Sequence, residues 1–538
     1  MVVSFLPPPF YSISSLNSDG QTLLSLAHHW ISTPPSLVSS WNASDADPCS
    51  WVGVVCDPNK LVVSLDLSTS HIMGKIGPEI SWLTHLKSLN LSSNCISGTI
   101  PPQIGNCSLL QQLDLSLNTL AGKIPDSLGN CSLLQQLDLS LNTLAGKIPD
   151  SLGNLLNLKV LSLYNNSLNG SLPEPIFHIS GLEVLNLSFN QLTGLIPSNL
   201  GNTTMLQVLC IDNNRFTGSL PASLNNLANL VYLDVHSAGV EGRIPLCYGG
   251  GCKNLIYLDL SFNQFISLPI ELGNCTNLEQ FAVVDCGLTG PIPSSFGQLT
   301  KLTLLYLSIN QLSRTIPPEL ANCTSLTDLQ LDRNQLEGSI LSELGTLKLT
   351  SLYLFTNRLT GEVPMSVWKI AILEYLLIYE NRLSGERPVE VARLKRLKEF
   401  TLYDNHFFGI IPQSLRINGS LTILDFYNNS FTGPIPPNLC SGNQVEKLVL
   451  GFNSFQGGIP SEFGNCPSLK RLIINNSNLT GVLPDFVNNP NLLYMNLEDN
   501  MFTGQIPGSF GRLTNITAIN LSKNRLLGLL PLQLENLL

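Results

Sequence analysis

Tyr379, Tyr403 and Tyr427 stand 24 residues apart, and Tyr306, Tyr353, Phe355 and Tyr375 fall on related positions of the same spacing. Interleaved with them are Asp328, Asp332, Glu399 and Asp425. Aromatic faces attract cations and carboxylates steer positive charge, so a set of this kind is suited to holding basic groups. Catalysis is not expected. The chain has no GxSxG elbow, HExxH helix, P-loop or kinase Gly-rich loop and HRD/DFG set. Glu498 and Asp499 are adjacent in an extended segment and face opposite ways, so they cannot share acid/base work. A metal or cofactor is not expected either. His28 and His29 diverge by about 100° on a helix, and Cys247 and Cys252, flanking YGGG, have no histidine close by to complete a zinc set. A small disulfide loop is the alternative for that pair.

The elements that must position these residues are repeats. NCSLLQQLDLSLNTLAGKIPDSLG occurs twice without a difference, at 106–129 and 130–153. A close-packed globular core could not absorb such an insertion, whereas a stack of equivalent units gains one more rung. The first leucine of an LxL pair marks twenty units, from Leu65, Leu89 and Leu113 through Phe281, Leu305, Leu352, Phe400 and Leu448 to Ile519, with slips of only one residue. The pattern is LxxLxLxxNxLxGxIP, a leucine-rich repeat, and it predicts an α/β solenoid, a leucine-rich-repeat superhelix of about 20 24-residue repeats with an N-terminal disulfide cap. Period two turns the leucines inward and the residues at marker −1, +1 and +3 onto the concave face of a parallel sheet. Five residues past the marker an Asn recurs, as at Asn94, Asn118, Asn310 and Asn524, where a buried amide can satisfy backbone groups of its own and the next repeat. Ser70, Ala238, Cys286 and Ser477 interrupt that series and predict weaker turns.

Concave positions divide unevenly. The first ten repeats hold three aromatics there, Tyr164, Tyr232 and Tyr257; the next nine hold eight, those above and Tyr494. A general strand preference for aromatics predicts no such difference. The same positions carry eleven acids, among them Asp212, Asp234 and Asp259, against two bases, Lys447 and Arg471. A ligand groove is therefore expected over repeats eleven to nineteen. Eight spacings of about 4.8 Å give roughly 38 Å, room for an extended peptide of about a dozen residues.

Other features bound the class. Net charge is −10 with 12% charged residues, which disfavours nucleic acid. Fifteen N-x-S/T sequons, at Asn42, Asn90, Asn106, Asn130, Asn165, Asn186, Asn202, Asn274, Asn322, Asn418, Asn428, Asn475, Asn478, Asn515 and Asn520, fit a secreted glycoprotein. Of thirteen cysteines, Cys107, Cys131, Cys275, Cys323 and Cys466 share a G/A-N-C slot that predicts buried free thiols. Cys49 and Cys56, with Trp41 and Trp51, read as a bridged N-terminal cap over the first repeat. Domains are expected at 1–16 (a tail or incomplete signal segment), 17–60 (cap) and 61–538 (solenoid, truncated). In the cap, 17–31 predicts a helix N-capped by Ser18 or Asp19 and stopped by Pro34-Pro35. No stretch reaches the ~18–20 apolar residues of a membrane span, and the chain stops inside a repeat, so a membrane link is expected only through a missing C-terminal span.

CSWVGVVC, LNSDGQTLLSL and the GxIP-type repeats resemble the ectodomains of plant leucine-rich-repeat receptor kinases; LNSDGQTLLSLAHHW, GCKNLIYLDLSFN and GPIPPNLCSGN resemble, within these, the receptors for Pep danger peptides. The resemblance implies a plasma-membrane receptor that binds a secreted basic peptide on its inner face and recruits a shorter leucine-rich-repeat co-receptor kinase, in immune or wound signalling. Arg471 beside Asn475 is the candidate holder of a peptide C-terminus. The rival reading is a secreted inhibitor of a cell-wall hydrolase, similar to polygalacturonase inhibitors, although those have about ten repeats and a closing cap.

Overall fold

The computed structural model describes residues 16–247, 251–386, 394–413 and 420–537. They fall into two compact units, Met1–Leu255 and Ile256–Leu538.

The first unit begins with helix α1 (Ser18–Ala27). Its N-cap is Asn17, whose side chain accepts from the Gly20 N–H at 2.9 Å, rather than Ser18 or Asp19. Asp19 instead accepts from the Val62 N–H at 2.8 Å, which ties the helix to the first repeat. The helix ends before the expected Ile31: Trp30–Ser32 is a strand, antiparallel to Met73–Gly74. Pro35 then opens a second helix, α2 (Pro35–Ser40), because a proline needs no N–H partner in a first turn. Trp41 and Trp51 stack at 5.4 Å over this end, both buried. The Cys49–Cys56 disulfide fastens strand Val54–Cys56, which pairs antiparallel with Val62–Asp66 and covers the open edge of the repeat sheet.

From Val62–Asp66 onward each repeat contributes one short parallel strand to the main sheet, and the marker leucines lie in register: Leu65 with Leu89, Leu89 with Leu113, Leu113 with Leu137. The two identical segments occupy successive rungs, Gln112–Asp114 beside Gln136–Asp138. In the second unit the same ladder runs from Tyr257–Asp259 to Ala518–Asn520. Most described repeats close with a 3-10 turn, such as Asp126–Asn130, and α-helix among the described residues is confined to the cap. Between strand and turn lies a core of Leu, Ile and Phe, most of it fully buried.

The recurring Asn does bridge repeats, but toward the preceding one. Asn118 donates to Leu91 O (2.9 Å) and to its own Leu115 O (3.2 Å), while its Oδ1 accepts from the Ile96 N–H (2.9 Å). At two of the breaks weaker donors stand in: Cys286 Sγ reaches Leu260 O at 3.2 Å and Ser477 Oγ reaches Asn475 O at 3.0 Å. The residue before each Asn is left-handed even when it is bulky, as at Leu117 (φ 52°), Ile309 (φ 56°) and Phe452 (φ 53°).

Candidate functional site

In the second unit, residues at marker −1, +1 and +3 share the exposed face of the sheet, and three rows of side chains run across the strands. The +3 row carries a continuous stack. Phe355 and Tyr379 lie with ring centroids 4.4 Å apart, Tyr379 and Tyr403 4.2 Å apart, both nearly parallel, and the Arg333 guanidinium sits 5.6 Å from the Phe355 centroid. Strands about 4.8 Å apart set this spacing, because equivalent residues on parallel rungs point the same way. Tyr427 leaves the stack and leans on Phe452 at 5.0 Å. On the other rows Tyr353 and Tyr375 meet edge to face at 6.4 Å, with Lys398 Nζ 5.6 Å from the Tyr375 centroid. Tyr306, Tyr353, Tyr375, Tyr379, Tyr403, Tyr427 and Tyr494 are all half-buried, their rings shared between neighbours and solvent; Phe355, the end ring of the stack, is expected on the face but is buried.

Burial raises the Tyr353 phenol to about 12, with Glu399, Tyr375, Asp328 and Tyr306 adding to it. Tyr306, Tyr379, Tyr403 and Tyr427 are also raised, chiefly by burial. These rings are therefore neutral hydrogen-bonding surfaces at physiological pH. The acids separate into two kinds. Asp328 and Glu399 are half-buried on the face. Asp332 and Asp425, expected on the face, are buried: Asp332 accepts from Ser308 Oγ at 2.5 Å, and Asp425 pairs with Lys447 Nζ at 3.0 Å. Burial raises the carboxyls of Asp332, Asp425 and Glu399, and Lys447 partly offsets this for the last two. Arg471 is exposed, in register with Lys447 and 5.9 Å from the Tyr494 ring centroid. Asn475 does not stand with it as a clamp. It is 7% exposed and its Oδ1 has no partner among the described residues.

The comparisons with known proteins agree with this architecture. Residues 16–57 match the leucine rich repeat N-terminal domain, ten segments between 85 and 466 match the leucine rich repeat, and 467–526 match a further leucine rich repeat family. A solved structure titled PEPR1-AtPEP1 is 46% identical, with a TM-score of 0.94, over 97% of this chain and 74% of that one. The Arabidopsis receptor kinase HAESA, in complex with the peptide hormone IDA and the co-receptor SERK1, is 33% identical with a TM-score of 0.83, over 97% and 92%. The chain belongs to the leucine-rich-repeat ectodomains of plant receptor-like kinases. Among curated relatives of this ectodomain, a receptor-like protein kinase of Ipomoea nil is 56% identical over 77 residues, and the receptor-like protein kinase PEPR1 of Arabidopsis thaliana 48% over 85. These matches span only 7% and 8% of those proteins' own lengths.

Two cysteine expectations are corrected in the ectodomain. Cys247 is disulfide-bonded, but Cys252 is a buried free thiol, so the two do not close a loop around YGGG. Cys275 and Cys466 are not free thiols: Cys275 is disulfide-bonded and Cys466 pairs with Cys440, whose Cα lies 5.6 Å away. Cys440 precedes Cys466 by 26 residues, about one repeat, which stacks the two on neighbouring rungs. Cys107, Cys131 and Cys323 are buried free thiols, raised by burial to about 12, 11 and 11.

Asn42, Asn106, Asn130, Asn165, Asn202, Asn274, Asn322, Asn428, Asn478 and Asn515 are exposed, and Asn90, Asn186 and Asn520 are half-buried. Asn418 lies outside the described residues. No helix among the described residues is long and apolar enough to cross a membrane. One grouping with metal-ligand chemistry, Asp212, Asp234 and His236, escaped the pattern reading because it joins two rungs of the first unit. Its carboxylates are already engaged: Asp212 accepts from Ser188 Oγ, and His236 Nδ1 lies 2.9 Å from Asp234 Oδ1.

Proposed function

We propose that this ectodomain senses an extended basic peptide of the Pep type, on the extracellular side of the plasma membrane, in immune or wound signalling. The observation that carries the reading is the ring stack Phe355–Tyr379–Tyr403, whose two half-buried tyrosines reach the sheet face beside Tyr353, Tyr375, Asp328 and Glu399. Neutral rings give flat apolar contact to the stems of lysine and arginine, and their faces attract the charged heads. Carboxylates at the same face favour a basic ligand over an acidic one. Likeness to the ectodomain in the PEPR1-AtPEP1 structure supports the ligand class, and the HAESA complex with SERK1 supports a leucine-rich-repeat co-receptor kinase as the second partner. In this reading the chain catalyses nothing itself, and phosphoryl transfer belongs to the kinase domains of the full-length relatives and of the co-receptor. Arg471, exposed beside Lys447, is the group proposed to meet the peptide's terminal carboxylate.

Titration calorimetry with basic synthetic peptides tests the proposal, using chains of about 20 residues, which at about 3.3 Å each overrun the face. Tight binding that weakens about tenfold or more on Tyr379→Ala or Tyr403→Ala is expected, since the first removes two ring contacts and the second one, each with part of the cation surface. Absence of any binding, together with inhibition of a polygalacturonase by the same protein, would sink it.

A further inference from the structure

N-terminal to the ring stack, the sheet face has a hole. Asp259, Ala282 and Tyr306 are in register on three successive strands, and Tyr257, Gln280 and Leu304 form the row beside them. Strand spacing of about 4.8 Å sets Asp259 and Tyr306 some 10 Å apart across Ala282. The alanine methyl does not fill that gap, and a cavity of about 90 Å³ opens there, lined by Tyr257, Asp259, Gln280, Ala282 and Tyr306 over the buried ring of Phe281. At the corresponding place two strands further on, Gln330 occupies the gap between Tyr306 and Tyr353.

The chemistry of the walls selects an occupant. Two phenol rings accept an apolar stem or a planar cation, and a carboxylate stands at one end. Asp259 Oδ1 accepts from the Ser261 N–H at 2.8 Å, which orients the carboxylate in its turn. Burial and Asp328 raise the Tyr306 phenol, so it presents a neutral ring rather than a phenolate. An acidic side chain would be repelled here by the carboxylate.

We propose that the cavity over Ala282 is a subsite for one lysine or arginine side chain of the extended ligand, carrying the binding face two strands beyond Tyr306 toward the N-terminus. Its ligand rests on the peptide-sensing reading; its cation chemistry rests on the lining residues. The test uses the whole ectodomain and a basic synthetic peptide, with copies in which each lysine or arginine in turn becomes norleucine. One replacement should weaken wild-type binding about tenfold or more, and the same replacement should cost less than about twofold in Asp259→Asn and in Ala282→Leu, which fills the cavity. If the peptide binds but every replacement costs the same in all three proteins, the subsite is overturned while the peptide-sensing reading stands. If no basic peptide binds, that reading fails, and N-acetyl-argininamide followed by ligand-observed NMR decides the subsite alone. Saturable binding to wild type that both variants lose supports it; no binding, or binding that both variants keep, overturns it. Should Ala282→Leu fail to fold, Asp259→Asn carries each comparison.

Discussion

Replacing Asn381 by alanine tests how the repeats are tied together beneath the binding face. Its Nδ2 lies within hydrogen-bond distance of Leu354 O (2.9 Å), Ile378 O (3.2 Å) and Tyr379 O (3.1 Å), and its Oδ1 accepts from the Leu359 N–H (3.0 Å). Counting bonds suggests a loss fourfold that of one bond, but the carbonyls have second partners. Leu354 O keeps Asn357 Nδ2, Ile378 O keeps Asn405 Nδ2, and Tyr379 O keeps the Thr356 N–H. Only the buried Leu359 N–H is left without its acceptor. An unsatisfied buried donor costs about 1–3 kcal/mol, so a value near 2 kcal/mol is expected, or about 30-fold in local opening. A repeat array need not unfold in one step, and amide hydrogen exchange read at Leu359 is the appropriate assay. Protection there should fall about 30-fold, while Leu312, held by Asn334 at 3.0 Å, should change little. Asn381→Asp keeps the acceptor but sets a carboxylate among three carbonyl oxygens, and at neutral pH it should be worse than alanine. Unchanged protection at Leu359 in Asn381→Ala, or full protection in Asn381→Asp, would refute the argument.

Ile309, exposed and left-handed at φ 56°, is β-branched where such a residue is strained, so Ile309→Asn should stabilise by about 1 kcal/mol and raise the melting temperature; a lower melting temperature would contradict this. Burial raises the Asp332 carboxyl above its ordinary 3.8, so the folded state holds that proton to higher pH than the unfolded chain. Stability from this group therefore falls as pH rises from 3.8 through the raised value, and urea titrations of Asp332→Asn should show a flatter profile across that window. Cys440→Ser with Cys466→Ser removes a cross-link spanning 26 residues, which should cost about 3 kcal/mol; urea unfolding unchanged by the pair of substitutions would show the bridge to be thermodynamically idle.

How far these features could be read from the residues depends on whether one repeat contains the answer. The leucine ladder and the concave rows could be read, because a period of two within LxL settles which way each side chain points, and twenty near-copies repeat the answer. The partner of the Asn could not. Asn118 reaches Leu91 and Ile96, 27 and 22 residues back, and no single repeat says whether its amide turns toward the previous rung or the next. Cys107, Cys131 and Cys466 occupy the same slot, yet Cys466 pairs with Cys440 while Cys107 and Cys131, one full repeat apart, stay free thiols, so a spacing of about one repeat does not by itself decide the pairing. The left-handed turn residues were silent for a different reason: tertiary bonds hold Leu117 and Ile309 in a conformation their own side chains disfavour, so no glycine marks the place.

The same reasoning limits a charge count on the sheet face. Asp332 and Asp425 occupy outward positions by register, but Ser308 holds the first and Lys447 the second, and both are covered. Of the acids at the outward positions, those left to meet a ligand near the ring stack are then Asp328 and Glu399, two rows across from it, joined by the exposed Glu380, which accepts from Tyr403 Oη at 3.4 Å, and not the full set that the pattern suggests. A peptide attracted to this face should depend more on the rings than on net charge. Added salt should consequently weaken binding less than Tyr379→Ala does, because exposed charges are screened over a Debye length of about 8 Å while a ring contact is not. A binding constant that collapses in salt yet tolerates loss of Tyr379 would mean that the exposed acids, and not the stack, hold the ligand.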